Sequence, residues 1–192
     1  CFFSLLIRDP AMLYVLVGSE MCIRDSFNSR FGDTFVVPKH VIPPAGARIM
    51  DLQHPERKMS KSELSPGGTI SVLETPESIT KKIKRAVTDS DGDVRFDVEE
   101  KPGVSNLLSI LAAATLSTPE KVASSYSRYG DLKSDTADAV IELLQPIQEK
   151  FRELESDPSE TSRLLTLGSS KAREISSATL DRAMNNIGLL EA

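Results

Sequence analysis

Residues Arg57 to Thr69 read RKMSKSELSPGGT. Lys58 and Lys61 stand three apart, Ser60 and Ser62 interleave with them, and Pro66, Gly67 and Gly68 follow. A packed core does not accept two cations so close together, and a Pro-Gly-Gly ending breaks any regular element. The stretch is therefore an exposed loop. Two ammonium groups with hydroxyls between them suit a polyphosphate, because a lysine is a compact point charge on a flexible stem. Turn backbone N–H groups add further donors. Cations placed where charge builds on a pyrophosphate leaving group stabilise the transition state more than the ground state. A loop that closes with substrate and opens with product needs a hinge, and Pro66-Gly67-Gly68 is the expected one. From spacing alone, a solvated Lys/Ser loop competes with phosphate binding.

Upstream of the loop, short β-branched or alternating runs predict strands at Thr34–Val37 and Arg48–Leu52, with Phe31-Gly32-Asp33 as a turn. Thr69–Leu73 is a third apolar run. Beyond Glu74 the pattern is helical. Thr75-Pro76-Glu77 and Thr118-Pro119-Glu120 combine a capping threonine, a first-position proline and a first-turn acid. The first begins a helix expected over Pro76–Thr88, and the second one reaching about Tyr129. Between them, Ser105 is the expected cap of a helix that is apolar nearly all round and so buried. A long helix is expected from about Ser134 to Leu154, with Pro146 costing it one hydrogen bond or a kink. Asp157-Pro158 starts another, Gly168 divides it from Ser169–Ile187, and Gly188 ends the last. The expected fold is an α/β remnant up to about residue 74, then a bundle of five or six helices.

The chain has 192 residues, 40% hydrophobic and 27% charged, too apolar for a disordered polymer. Its net charge of -5 argues against general nucleic-acid binding but leaves room for a local basic patch. The two cysteines, Cys1 and Cys22, allow neither a disulfide framework nor a cysteine zinc site, and a cytoplasmic location is permitted. Residues 1–26 hold two apolar runs, each short of the roughly 20 residues a membrane span needs. VLVGSEMCIRDS within them resembles translated sequencing adapter, so 1–26 is expected to be foreign to the rest; a strand over Met12–Val17 is the alternative.

Lys58-Met59-Ser60-Lys61-Ser62 matches, letter for letter, the second signature of class I aminoacyl-tRNA synthetases. The flanks GARIMDL (46–52), KKIKRAVTDSD (81–91) and GVSNLL (103–108), with Gly188-Leu189, resemble bacterial tryptophanyl-tRNA synthetases. The resemblance runs from Phe27 to the C-terminus. It implies a Rossmann-like catalytic domain ending near residue 74 and an anticodon-binding helical region over 75–192. It also implies ATP with Mg2+, tryptophan and tRNA(Trp) as substrates, and a homodimer. Lys58 and Lys61 would be the catalytic cations on the triphosphate; Met59 would offer backbone groups to the adenosine; Ser60 and Ser62 would support loop and phosphate. The histidines of the other class I signature are not found, since His40 and His54 lie in no such context. Val17-Gly18-Ser19-Glu20 begins like a family segment and then diverges. The fragment is therefore expected to be a C-terminal part, inactive alone.

Tyr126, Arg128, Tyr129, Gly130 and Lys133 resemble the family's approach to the anticodon bundle, where Arg128 and Lys133 would neutralise tRNA; a buried tyrosine beside a snorkelling arginine is the plain alternative. Lys81, Lys82, Lys84 and Arg85 are either an RNA-facing surface or a solvated face favoured by the helix dipole. Asp89, Asp91 and Asp93 have alternate calcium-loop spacing, but Gly92 is misplaced and turn roles are expected; no metal site is assigned. Two other functions compete: a noncatalytic helical binding module, and a sister class I synthetase such as the tyrosyl enzyme.

Overall fold

A computed structural model of the chain describes residues 23–37, 46, 48–60 and 66–189. The expectations for Met12–Val17, His40, Lys61 and Ser62 lie outside these residues. The chain divides into two compact units. The described part of the first lies within 46–150, and that of the second comprises 23–37 and 151–189.

The first unit is built on helices. After a helix over 23–31 in the other unit (α1) come α2 (Pro76–Lys84), α3 (Pro102–Ala114), α4 (Pro119–Ala123) and α5 (Tyr129–Ser156), whose residues from 151 on belong to the second unit. The threonine caps are local chemistry and form where expected: Thr75 accepts from Ser78 N–H and Thr118 from Lys121 N–H, each at 3.4 Å. The α3 stripe supplies the centre of the core, with Val104, Leu107, Leu108 and Ile110 essentially sealed from solvent. Ile79 and Ile83 of α2, Leu132, Val140 and Leu144 of α5, and Ile49, Leu52 and Ile70 from either side of the loop join it. Truncating any of these leucines to alanine is expected to cost about 2–5 kcal/mol. The segments on both sides of residue 74 thus share one core.

The α/β remnant expected before residue 75 is not seen as a sheet. Among the described residues there is no strand, only an isolated antiparallel bridge between Met50 and Lys58. The reason is in the hydrogen bonds. Around Leu52 the chain meets loops and side chains instead of strands: Leu52 N–H donates to Gly68 O at 2.9 Å, and Leu52 O accepts from Val87 N–H at 2.8 Å. At 34–35, the Asn28 side chain of α1 accepts from both Thr34 and Phe35 N–H and donates to Phe35 O. That polar clamp replaces a ladder.

Helix boundaries moved where tertiary contacts overrode local signals. α2 stops at Lys84, short of Thr88, because the Val87 N–H is drawn to Leu52 O. α3 starts at Pro102, and Ser105 is not its cap; the Ser105 hydroxyl accepts from Asp97 N–H at 2.8 Å. Gly103 sits there because a Cβ would fall 2.1 Å from the Val87 carbonyl oxygen. α4 is a five-residue turn, and α5 begins at Tyr129, running through Gly130 and Pro146. In the second unit, α6 (Pro158–Ile187) continues through Gly168 and ends at left-handed Gly188. Asp157 caps it through Ser159 and Glu160 N–H. Phe27 packs on Phe31 and Phe35 with ring centroids 5.0 and 4.8 Å apart, and Asn186 donates to Thr34 Oγ1.

Candidate functional site

The site begins with residues 49–51. Met59 N–H donates to Ile49 O at 3.0 Å, and Asp51 N–H donates to Arg57 O at 2.8 Å. These two bonds flank the Met50–Lys58 bridge and fix the stem on which Lys58, Met59 and Ser60 are carried. Thr69 from the far side of the loop donates its hydroxyl to Ser60 O at 3.2 Å. Lys58 is half-buried, and among the described residues no carboxylate pairs with it. That pattern suits a cation waiting for an external anion.

Asp51 organises both sides of the loop. It is buried, and its Oδ1 accepts from Gln53 and His54 N–H at 2.8 and 2.9 Å. Gly68 packs directly against it: a Cβ there would lie 2.0 Å from the carboxylate oxygens. Neither Gly67 nor Gly68 has a left-handed φ, so Gly68 is required by close approach. Gly68, within the Pro66-Gly67-Gly68 segment expected to hinge, is a packing point against Asp51.

The exit from the loop is tied down as firmly. Lys82 donates to Thr69 O at 2.7 Å and pairs with Glu74. Burial would raise the Glu74 carboxyl's pKa, but hydrogen bonds from Lys82, Ser78 and Ser71 outweigh it and hold the group below its ordinary range. Gln148 of α5 donates to Val72 O and Glu74 O at 2.7 and 3.0 Å. One of the basic residues on α2 is thus internal, while Lys81, Lys84 and Arg85 are exposed around an open hollow with Pro76, Glu77 and Thr80.

Of the expected tRNA contacts, Arg128 is exposed and pairs with Asp131 at 2.8 Å. Lys133 is turned inward, donating to Ala86 O at 2.8 Å and Thr88 Oγ1 at 3.3 Å, and burial lowers its ammonium pKa. Among the described residues no group of three or more His, Cys, Asp or Glu side chains is placed to hold a metal. Asp89 and Asp91 instead receive the buried Lys101 ammonium, and the Tyr129 hydroxyl donates within the same cluster. Arg95 pairs with Asp93 and Glu100.

The sequence marked Gly68 only as part of an expected hinge, and assigned Asp51 and Asn106 no role of their own. A polar residue inside the otherwise apolar α3 stripe was the available clue to Asn106.

The family described as tRNA synthetases class I (W and Y) matches residues 16–145, a span that begins inside the first 26 residues and holds the loop, its stems and the core helices. The chain belongs to that family. It is 45% identical over 186 residues to tryptophan–tRNA ligase 1 of Streptomyces avermitilis, covering 97% of this chain and 56% of that one. It is 44% identical over 169 residues to tryptophan–tRNA ligase of Bacillus anthracis, covering 87% and 51%. The chain spans about half the length of the curated relatives it matches. Among solved structures, tryptophanyl-tRNA synthetase from Mycoplasma pneumoniae superposes with a TM-score of 0.80 at 29% identity, covering 91% of this chain and 53% of that one. The Campylobacter jejuni enzyme complexed with ADP and tryptophan gives 0.57 at 25%, covering 90% and 53%. The family's members are class I tRNA synthetases, and the described residues of this chain are mostly helical.

Proposed function

We propose that the chain is part of a tryptophan–tRNA ligase. In the first step a tryptophan carboxylate oxygen attacks the α-phosphorus of ATP, and pyrophosphate leaves. In the second, a ribose hydroxyl at the tRNA(Trp) 3′ end attacks the acyl carbonyl, and AMP leaves. The observation that carries the reading is Lys58, fixed on a hydrogen-bonded stem with no carboxylate partner among the described residues, inside a signature identical to the family's. Such a cation is poised for charge that develops on the leaving pyrophosphate.

Lys61 is the second catalytic cation in this reading. Met59, whose N–H is already committed to Ile49 O, offers its carbonyl to the adenosine end. Ser60 and Ser62 support the loop. Mg2+ enters as the ATP complex, a substrate ion. In this reading residues 27–74 end a Rossmann-like catalytic domain and 75–192 form the anticodon-reading region, with one core shared across residue 74; Arg128 is better placed than Lys133 to meet RNA. The full enzyme is a homodimer acting in the cytoplasm. No helix among the described residues is long and apolar enough to cross a membrane.

The test is ATP–pyrophosphate exchange in a chain of the relatives' full length. Exchange is expected to need tryptophan and to fall about a hundredfold or more in Lys58→Ala and Lys61→Ala. Exchange that follows tyrosine would assign the sister enzyme. Absence of exchange would leave a noncatalytic binding module.

A further inference from the structure

The bonds around Met50 have a direction. In an antiparallel pair flanked by bonds on both sides, the central residue's own N–H and C=O point away from its partner. In a sheet they would meet the next strand. Here they meet one side chain. Met50 N–H donates to Asn106 Oδ1 at 2.8 Å, and Asn106 Nδ2 donates to Met50 O at 2.8 Å. Asn106 lies 56 residues away on α3 and is 4% exposed. Its amide stands where a neighbouring strand's peptide would.

We infer that Asn106 is a positioning residue for the Lys58–Met59 stem, acting through Met50. A buried amide on an apolar helix is costly unless its donor and acceptor are both used, and here both are used by one residue. Asparagine is the side chain that supplies a donor and an acceptor at this reach. Aspartate lacks the donor, and leucine lacks both. Without the clamp, Met50 loses both partners, and the backbone hydrogen bonds of residues 49–51 remain on the loop side only. The stem moves with them, and Lys58 moves with the stem. A displacement near 1 Å is enough to matter, since misplaced catalytic groups lose roughly a hundredfold. The inference rests on the reading of Lys58 as a triphosphate contact.

The experiment is a double-mutant cycle in the full-length chain, read by tryptophan-dependent ATP–pyrophosphate exchange below the melting temperature of every variant. Asn106→Leu is expected to lower kcat roughly ten- to a hundredfold with KM for tryptophan unchanged. Asn106→Ala, which removes both bonds without adding bulk or charge to the buried site, is expected to lose about as much; it carries the cycle if the leucine variant does not fold. In a Lys58→Ala background the Asn106 change is expected to cost less than about threefold, because the group it positions is gone. Equal losses in both backgrounds would show a purely structural role and overturn the inference. So would a rise in KM for tryptophan with kcat retained. If Lys58→Ala alone leaves exchange intact, the phosphate reading itself has failed. A collapse in Lys58→Ala with additive losses at Asn106 removes only the inference.

Discussion

Two lysines in the first unit show opposite uses of the same side chain. Lys101 is 1% exposed and its ammonium is consumed: Asp89, Asp91 and the Tyr129 hydroxyl surround it, and it lies 5.8 Å from the Tyr129 ring centroid. Lys58 is half-buried, and no described carboxylate faces it. Burial would strip the proton from Lys101, yet the hydrogen bonds to Asp91, Tyr129 and Asp89 outweigh it and push the pKa above its ordinary value. The lesson is that a paired lysine belongs to the fold, whereas one rigidly held without a partner is available to a ligand. The acidic turn that superficially offered a calcium loop is the counter-charge of Lys101.

The largest effect should come from breaking the paired site. Lys101→Met leaves the Asp89 and Asp91 carboxylates side by side without the buried cation that ties them to Tyr129. Thermal unfolding is expected to shift down by about 10 °C. Lys58→Ala should leave the melting temperature nearly unchanged while abolishing most exchange. If the two variants behave alike in stability, the comparison fails.

Next comes the packing around Asp51. Gly68→Ala forces a Cβ onto carboxylate oxygens already locked by Gln53 and His54 N–H, at an expected cost of about 1–3 kcal/mol. Gly67→Ala meets only the Gln53 side chain at an ordinary 3.6 Å and should be tolerated. Denaturant unfolding of the pair separates them. Equal tolerance would mean that the close approach at Gly68 does not constrain the fold.

The titration of the Lys101 cluster sharpens the comparison further. The Lys101 ammonium, with help from Asp93 N–H, holds the Asp91 carboxyl well below its ordinary 3.8. A depressed carboxyl stabilises the fold above its unfolded value and loses that contribution as pH falls through the folded one. Acid unfolding should therefore steepen below pH 3.8 in the native chain and less so in Asp91→Asn. At the other end, burial and Asp89 push the Tyr129 hydroxyl up to about 12 from its usual 10. A raised value contributes stability below the unfolded pKa, lost as pH rises between the two. Tyrosinate absorbance should show Tyr129 ionising late, and Asp89→Asn should bring it down. An unmoved titration would mean the cluster is not coupled as its geometry requires.

What could be read in advance divides along the same line. Thr75, Thr118 and Asp157 announced three helix starts because a cap bonds residues two or three positions away. The loop's signature was legible because it is contiguous, and it pointed to the family that the match over 16–145 shows. Helix ends and strands were not, because long-range partners decided them: Leu52 O stopped α2, and Asn106 and Gly68 took the backbone groups a sheet would have used. Lys133 illustrates the limit. Its position suggested RNA, but its ammonium serves the Ala86 carbonyl and Thr88 hydroxyl.

The smallest effect concerns Lys81, Lys84 and Arg85, whose exposed side chains also have no partner among the described residues. They differ from Lys58 in being unheld. No backbone bridge fixes them, and each sits near the C-terminal end of α2, where the helix dipole favours a cation. A solvated charge explains them without a ligand. Lys84→Ala should leave the melting temperature unchanged and tRNA affinity within about twofold, with no change in its salt dependence. A salt slope reduced by about one would mean that this lysine neutralises a phosphate. Lack of a partner would then suffice to mark a binding cation, and the rigid stem under Lys58 would no longer be the distinguishing feature.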